Sequence, residues 1–165
     1  MKRIATMLAL IGGGCANANA NAIPLAQDTV QITSVAAPIC GLTGAQNVAS
    51  RRAAVETIRR GYDNYAIVGG EYQNNVRVVA YTPVIANTTG FATASGSGNY
   101  ATAYGQSTTT YSGGQPIIAG AHNQGLVVKM FKANDPSAMN ALDARAELGP
   151  DWEKIAANNS YTCLP

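Results

Sequence analysis

Three cysteines and a single histidine are the side chains best suited to metal or redox chemistry in this chain of 165 residues. They are Cys15, Cys40, Cys163 and His122. A protein zinc site needs three or four ligands at recognised spacings, and a redox-active pair usually has the spacing Cys-x-x-Cys. These residues follow neither pattern. We therefore expect no metal site, no cofactor and no thiol chemistry.

Acid–base or nucleophilic catalysis needs a histidine or carboxylate positioned beside the reacting group. His122 lies in the turn-like sequence AGAHNQG, and no serine-hydrolase, zinc-protease or phosphate-loop motif occurs. Most acidic residues fall in the C-terminal part, where they are typical of solvated helix faces. We predict no catalytic residues and a protein that is not an enzyme. The alternative hypothesis is an enzyme that uses His122 with a carboxylate.

The N-terminus has the pattern of an export signal. Lys2 and Arg3 precede an apolar run at residues 4–12, and small residues follow. This run is too short to span a bilayer, which takes about 20 residues, and its flanks are typical of a secretory signal. The alternative, a buried N-terminal helix, is disfavoured by the three glycines at 12–14.

Cys15 has two alternative fates. Gly13-Gly14-Cys15 resembles the end of a bacterial lipobox, in which the cysteine is diacylated and becomes the mature N-terminus, although Gly12 stands where leucine is usual. Alternatively, ordinary signal cleavage removes Cys15, because three Ala-Asn-Ala registers satisfy the small-x-small rule. Those registers end at Ala18, Ala20 and Ala22. We predict that residues 1–22 are export signal and tether, with Cys15 as the candidate lipidation site.

Export to an oxidising compartment favours a disulfide between Cys40 and Cys163. The bridge would close a loop of about 120 residues, for which the chain-entropy model gives about 4–5 kcal/mol of stabilisation. Two free thiols are the alternative. We predict the structural disulfide.

Hydrophobic periodicity predicts the elements that position these residues. An amphipathic helix is expected at 45–61, with Thr43 as its cap and Gly61 as its end. Four strands and a second helix are expected at 28–35, 64–70, 74–85, 125–131 and 136–147. The strands at 64–70 and 74–85 should form a hairpin, and the apolar strand 125–131 should be central. The fold class is α+β, a small mainly antiparallel sheet packed by one amphipathic helix, with a C-terminal helix and a low-complexity insertion.

That insertion, at about 87–118, is rich in Gly, Ser, Thr, Ala and Tyr and lies within an uncharged span, residues 78–128. Alternating arms around residues 96–99 predict a β-ribbon, with a disordered loop as the alternative. An uncharged ribbon is suited to edge pairing. Tyr100, Tyr104 and Tyr111 are its candidate interaction residues, and a further hypothesis makes them a ligand-binding platform.

The charge balance argues against nucleic-acid and membrane-surface binding. Without Lys2 and Arg3 the 11 basic residues fall to nine, which equals the nine acidic residues. A neutral chain has no electrostatic footprint for nucleic acid or anionic lipid. We expect no nucleic-acid partner, and membrane contact only through an N-terminal lipid.

The sequences RRAAVETIRRGYDNYAIVGG and LVVKMF, with the Gly/Thr/Tyr-rich stretch between them, resemble small, poorly characterised proteobacterial envelope lipoproteins. In that group an Ala-rich helix ending in Gly-Tyr leads into a strand, an insert follows, and an apolar strand ends in Met-Phe. The likeness spans roughly residues 45–131. The matching positions are Ala53, Ala54, Gly61, Tyr62, Tyr65, Met130 and Phe131. The resemblance implies an α/β domain on the envelope and no known activity.

Together these patterns predict an exported cell-envelope protein, periplasmic or anchored to the outer membrane as a lipoprotein. Residues 23–165 should form a single α+β domain that carries the insertion. Its expected role is structural or protein interaction, with an unidentified envelope protein as the partner and the ribbon as the contact. The alternative is an envelope-state or small-ligand sensor of the stress-sensing lipoprotein type.

Overall fold

The computed structural model describes residues 18–158 and 162–163. The leader and Cys15 therefore lie outside the described residues. The chain divides into two units: unit 2 is Arg77–Ala119, and unit 1 is formed by the residues before and after it. Unit 2 contains the whole predicted insertion, 87–118, and begins earlier, at Arg77.

The described residues form nine strands and three α-helices. In order they are β1 (Ala18–Pro24), β2 (Thr29–Ala36), α1 (Gly41–Arg59), β3 (Asn64–Asn74), β4 (Arg77–Tyr81), β5 (Ile85–Ser97), β6 (Tyr100–Ser112), β7 (Pro116–Ala119), β8 (His122–Phe131), β9 (Leu142–Asp143), α2 (Ala144–Leu148) and α3 (Trp152–Asn158). The predicted α+β class with mainly antiparallel sheets is confirmed.

Unit 1 contains a five-stranded antiparallel sheet in the order β1-β2-β8-β3-β9. The predicted central position of the apolar strand is confirmed, because β8 lies between β2 and β3. The predicted hairpin of 64–70 with 74–85 is wrong, since β3 pairs with β8 and β4 pairs with β7. Pairing with β8 gives β3 an apolar neighbour, whereas every residue of β4 is exposed.

Helix α1 packs its Ala-rich face on one side of this sheet. Ala49, Ala53 and Ala54 are fully buried against Val30 and Ile32 of β2, and their small side chains allow the helix to approach the strands closely. The helix begins at Gly41, directly after a 3₁₀ turn at Pro38–Cys40, so the predicted cap at Thr43 is wrong. Gly41, with a positive φ of 64°, links the 3₁₀ turn to α1, and no side chain caps the helix, so Thr43 lies inside its first turn.

Strand β1 includes residues 18–22, which the sequence pattern had assigned to a tether. All seven of its residues pair with β2, from Ala18↔Ala36 to Pro24↔Val30. The Ala-Asn repeat has the period of a strand, so the alanines share the row of the buried Ala20 and the asparagines lie on the opposite face. The low-complexity Ala-Asn repeat therefore forms an amphipathic strand, with alanines on one face and asparagines on the other.

The single helix predicted at 136–147 is wrong, because this segment forms a 3₁₀ turn, the short strand β9 and the start of helix α2. Asp135 caps a 3₁₀ turn by accepting from the Ser137 N–H. Leu142 and Asp143 then pair with β3 as β9, and the Asp143 carboxylate caps α2 through the backbone of Arg145 and Ala146. The caps at Asp135 and Asp143 thus begin two separate helical turns in a segment for which one continuous helix was predicted.

Unit 2 consists of two two-stranded antiparallel sheets, β4–β7 and β5–β6. The β5–β6 ribbon has 13 residue pairs in unbroken register, from Ile85↔Ser112 to Ser97↔Tyr100. The structure thus shows a ribbon instead of the alternative, a disordered loop. Among the described residues, no helix combines the length and apolar character that a membrane crossing requires.

Candidate functional site

The predicted disulfide between Cys40 and Cys163 is present, with Cα atoms 5.6 Å apart. Both cysteines are buried in a small cluster with Ala20, Ala36, Ala45 and Val48. A Cβ atom added to Gly44 of α1 would lie 2.8 Å from the Cys40 Cβ atom and 3.1 Å from the Cys163 Cβ atom. The glycine therefore makes room for the disulfide against the helix, a requirement that the sequence pattern did not reveal.

The three candidate tyrosines of the ribbon are all exposed, at 88% for Tyr100, 73% for Tyr104 and 70% for Tyr111. In an unbroken strand alternate side chains point to opposite faces. Tyr100 and Tyr104 therefore share one face of β6 with Phe91, whose partner is Gln106, and Tyr111 lies on the other. The three tyrosines do not form one platform.

The two ribbon faces differ in side-chain size. The face that contains Tyr111 otherwise presents only small side chains. These are Ala86, Thr88, Gly90, Ala92, Ala94 and Gly96 of β5 and Ala101, Ala103, Gly105, Ser107 and Thr109 of β6. The face with Phe91, Tyr100 and Tyr104 has the aromatic groups that could anchor a partner.

The ribbon edges lack the usual protection against pairing. Natural edge strands are shielded by charged side chains, proline, bulges or short length. Strands β5 and β6 contain no charged residue and no proline, and their pairing has no bulge. Since this sheet has two strands, each strand has one outer edge outside the β5–β6 pairing.

His122 begins β8 and is buried, so its predicted position in a turn is wrong. Its Nδ1 atom lies 2.6 Å from the Tyr72 hydroxyl oxygen, and the two rings are nearly parallel. Within the described residues, its hydrogen-bond partner is this phenol, whereas the enzyme hypothesis required a carboxylate.

A hydrogen-bond chain that runs from the buried Tyr65 to the exposed Glu147 connects β3, α1 and α2. The Ser50 hydroxyl donates to Glu147 Oε1 at 2.9 Å and lies 3.1 Å from the Tyr65 hydroxyl. Because an ionised carboxylate only accepts, the Ser50 hydrogen is committed to Glu147, and Tyr65 donates to Ser50. Tyr65 is fully buried, and this burial raises its pKa to about 12. The phenol thus stays protonated and acts as a donor.

Beside this chain lies a cavity that we call the Gln124 pocket, with a volume of about 240 Å³. Its lining residues are Gln46, Asn47, Ser50, Ile67, Gln124, Leu126 and Glu147. Gln124 lies on the helix-facing row of β8 with His122, Leu126 and Val128. Gln124 was not among the predicted site residues, although a polar residue in the buried row of an apolar strand is a signal that could have indicated it.

In the described part of the chain, no three His, Cys, Asp or Glu side chains lie together in a group that could hold a metal ion. Comparison with protein-family models, curated proteins and solved structures found no match to this chain.

Proposed function

We propose that this chain is an exported, non-enzymatic cell-envelope protein that contacts an envelope protein through the β5–β6 ribbon. The observation that supports this most directly is the combination of exposed aromatic side chains with a complete lack of charge on the ribbon. The proposed location is the same as that of the envelope lipoproteins that its helix, insert and Met-Phe strand resemble.

The ribbon offers two ways to hold a partner. Its outer edges could add to an exposed strand of another protein, where backbone hydrogen bonds supply affinity. Its aromatic face carries Phe91 at 66% exposure with Tyr100 and Tyr104, and aromatic residues are enriched in the cores and hot spots of protein interfaces. Both modes work without electrostatic attraction, as the uncharged ribbon requires.

The disulfide supports the proposed location outside the cytoplasm. Such bonds persist in oxidising compartments and are rare where thiols are kept reduced. The Cys40–Cys163 bond lies in a buried cluster, so it is suited to a lasting structural role in the periplasm or on the outer membrane.

Strand β1 bears on the processing of the N-terminus. Cleavage after Ala20 or Ala22 would remove residues that pair with β2, including the buried Ala20. Cleavage after Ala18 would remove one residue pair, Ala18↔Ala36, from the β1–β2 pairing, whereas a mature chain that begins at lipidated Cys15 would keep all seven pairs. We therefore infer that the mature chain begins at diacylated Cys15 or at Asn19.

The experiment is recovery of cross-linked partners from cells that produce a ribbon-deleted variant, in which Gly-Ser-Gly replaces Ile85–Ser112. We expect this variant to lose partners that the natural chain recovers, while its thermal melt stays nearly unchanged. Undiminished recovery with an intact melt would contradict the proposal.

Matched substitutions separate the two binding modes. If the aromatic face is the contact, Tyr100→Ser with Tyr104→Ser abolishes recovery and Tyr111→Ser on the opposite face does not. If the edges are the contact, both variants keep the partner and only the deletion loses it.

A further inference from the structure

The β5–β6 ribbon lacks the packing that normally stabilises a two-stranded sheet. Every residue of both strands is exposed, and among the described residues each strand pairs with the other alone. An isolated two-stranded hairpin is marginally stable in water, and independent stability takes three or more strands or packing against a helix. The ribbon therefore gains stability when a further strand adds to one of its edges.

Strand β6 offers the better edge for such an addition. Seven of its 13 residues are β-branched or aromatic, compared with five of 13 in β5. Strand β5 also contains two glycines, at 90 and 96, whereas β6 contains one, at 105. Because β-branched and aromatic residues favour strands and glycine weakens them, the edge of β6 is the more strongly disposed to pair.

A second copy of β6 matches this edge along its whole length. In an antiparallel pair related by a two-fold axis at Gln106, the middle residue of β6, each Gln106 lies opposite its counterpart. Each tyrosine then faces a small or β-branched residue of the second copy: Tyr100 faces Ser112, Tyr104 faces Thr108 and Tyr111 faces Ala101. Aromatic and β-branched cross-strand pairs are stabilising, and the uncharged sequence of β6 brings no like charges together.

We propose that the partner at the β6 edge is a second copy of this chain, which forms a four-stranded sheet in the order β5-β6-β6-β5. Pairing of all 13 residues of β6 would form about 12 backbone hydrogen bonds, similar to the roughly ten direct hydrogen bonds of a typical protein interface. The dimer also has the three or more strands that a stable sheet requires. This inference rests on the proposed function, because it names a partner for the same ribbon.

Sedimentation velocity of the mature protein over a range of concentrations tests the dimer, and we expect a monomer–dimer equilibrium. Gln106→Lys sets two like charges opposite each other at the two-fold axis, which should raise the dimer dissociation constant at least about fivefold. Phe91→Lys is the matched control. It adds the same charge to β5 at the residue paired with Gln106, away from the β6 edge, and should dimerise as the natural chain does.

A charge exchange tests whether the two copies of residue 106 face each other. Gln106→Glu alone should dimerise as weakly as Gln106→Lys, for the same reason. An equimolar mixture of the two variants should recover the dimer, because opposite charges then lie across the axis.

Disulfide trapping measures the same register independently. In Gln106→Cys the two new cysteines would have Cα atoms about 4.5–5.5 Å apart, within the range that a disulfide bridges, so mild oxidation should give a covalent dimer. Phe91→Cys should stay monomeric on a denaturing gel, because about three strand spacings, roughly 14 Å, would separate its two cysteines.

A natural chain that is monomeric at every concentration, or a dimer that Gln106→Lys leaves unchanged, would overturn the inference. If that monomeric chain still recovers a different envelope protein and the ribbon-deleted variant does not, the self-pairing fails and the proposed function stands. Undiminished recovery by the ribbon-deleted variant would contradict the proposed function as well. Assemblies that Phe91→Lys prevents and Gln106→Lys does not would assign the contact to β5 and overturn the pairing through β6.

Discussion

Ser50 of α1 and Glu147 of α2 are hydrogen-bonded at 2.9 Å although 97 positions separate them in the sequence. Through the Tyr65 hydroxyl, 3.1 Å from Ser50, the same contact reaches the sheet. One serine thus connects the central helix, strand β3 and the C-terminal segment, and it gives the buried phenol its acceptor.

Substitution of Ser50 by alanine should destabilise unit 1 by about 1–3 kcal/mol, because the buried Tyr65 hydroxyl loses its partner. Glu147 is exposed and can replace its lost bond with water. Denaturant unfolding, monitored by circular dichroism, measures the change in the free energy of unfolding.

The double variant Ser50→Ala/Tyr65→Phe completes a mutant cycle. Removal of both partners leaves no orphaned hydroxyl, so the double variant should be more stable than the sum of the single effects implies. Strictly additive effects would show that the two hydroxyls do not interact.

Tyr65 should make stability fall at alkaline pH. Burial raises its pKa from 10.0 to about 12, so the folded state favours the neutral phenol. This contribution is complete below pH 10 and is lost as the pH rises through about 12. The loss is on the order of 2–3 kcal/mol, since one pKa unit corresponds to about 1.4 kcal/mol. Urea unfolding between pH 8 and pH 12 should show a smaller decline for Tyr65→Phe, and equal declines would refute this assignment.

Gly44→Ala should destabilise the oxidised protein by about 1–3 kcal/mol, the usual cost of overpacking. The added methyl group would meet the Cβ atom of Cys40 at 2.8 Å, which outweighs the helix-propensity gain of about 1 kcal/mol. Thermal and denaturant unfolding provide the measurement. Gly69→Ala is the control, because its Cβ atom would lie 3.6 Å from the Val127 Cβ atom, an ordinary contact. A stabilised Gly44→Ala variant would contradict the proposed packing of disulfide and helix.

Removal of the whole of Arg77–Ala119 should leave unit 1 folded. Where the chain leaves and re-enters unit 1, the Asn75 N–H donates to the Ala121 oxygen at 3.1 Å, and Asn74 pairs with His122. A two-glycine link can therefore replace unit 2, and we expect the melting temperature to shift by less than about 3 °C. Loss of the cooperative transition would show that unit 1 depends on unit 2.

The intact mass of the purified mature protein should correspond to a start at diacylated Cys15 or at Asn19. Cys15→Ser separates these outcomes, since it blocks lipidation and leaves cleavage after Ala18 unaffected. A folded mature chain that begins at Asn21 or Ile23 would contradict the requirement for an intact β1.

The strands with the clearest alternation were predictable from the sequence. Residues of β2 alternate between buried and exposed along its length, and the apolar run of β8 indicated its central position. The α1 boundaries were right to within a few residues, because Gly61 ends the pattern clearly. Local periodicity carried these predictions.

The features that depend on pairing between distant segments were not predictable from local sequence patterns. The choice of β8 as the neighbour of β3 depends on burial across a long insertion, which no local turn pattern reveals. The Gln124 pocket was missed for the same reason, since Ser50, Gln124 and Glu147 come from three separate segments. Residues 18–22 of β1 were predicted to be a tether because of their simple composition, although their alternating alanines and asparagines have the two-residue period of a strand.

The unbroken register of the β5–β6 ribbon also sets its reach. Thirteen pairs at about 3.4 Å per residue give a length of about 44 Å. Insertion of residues in matched twos would lengthen this arm in steps of about 7 Å and keep every side chain on its original face. The number of residue pairs in the ribbon therefore sets the distance that it can span.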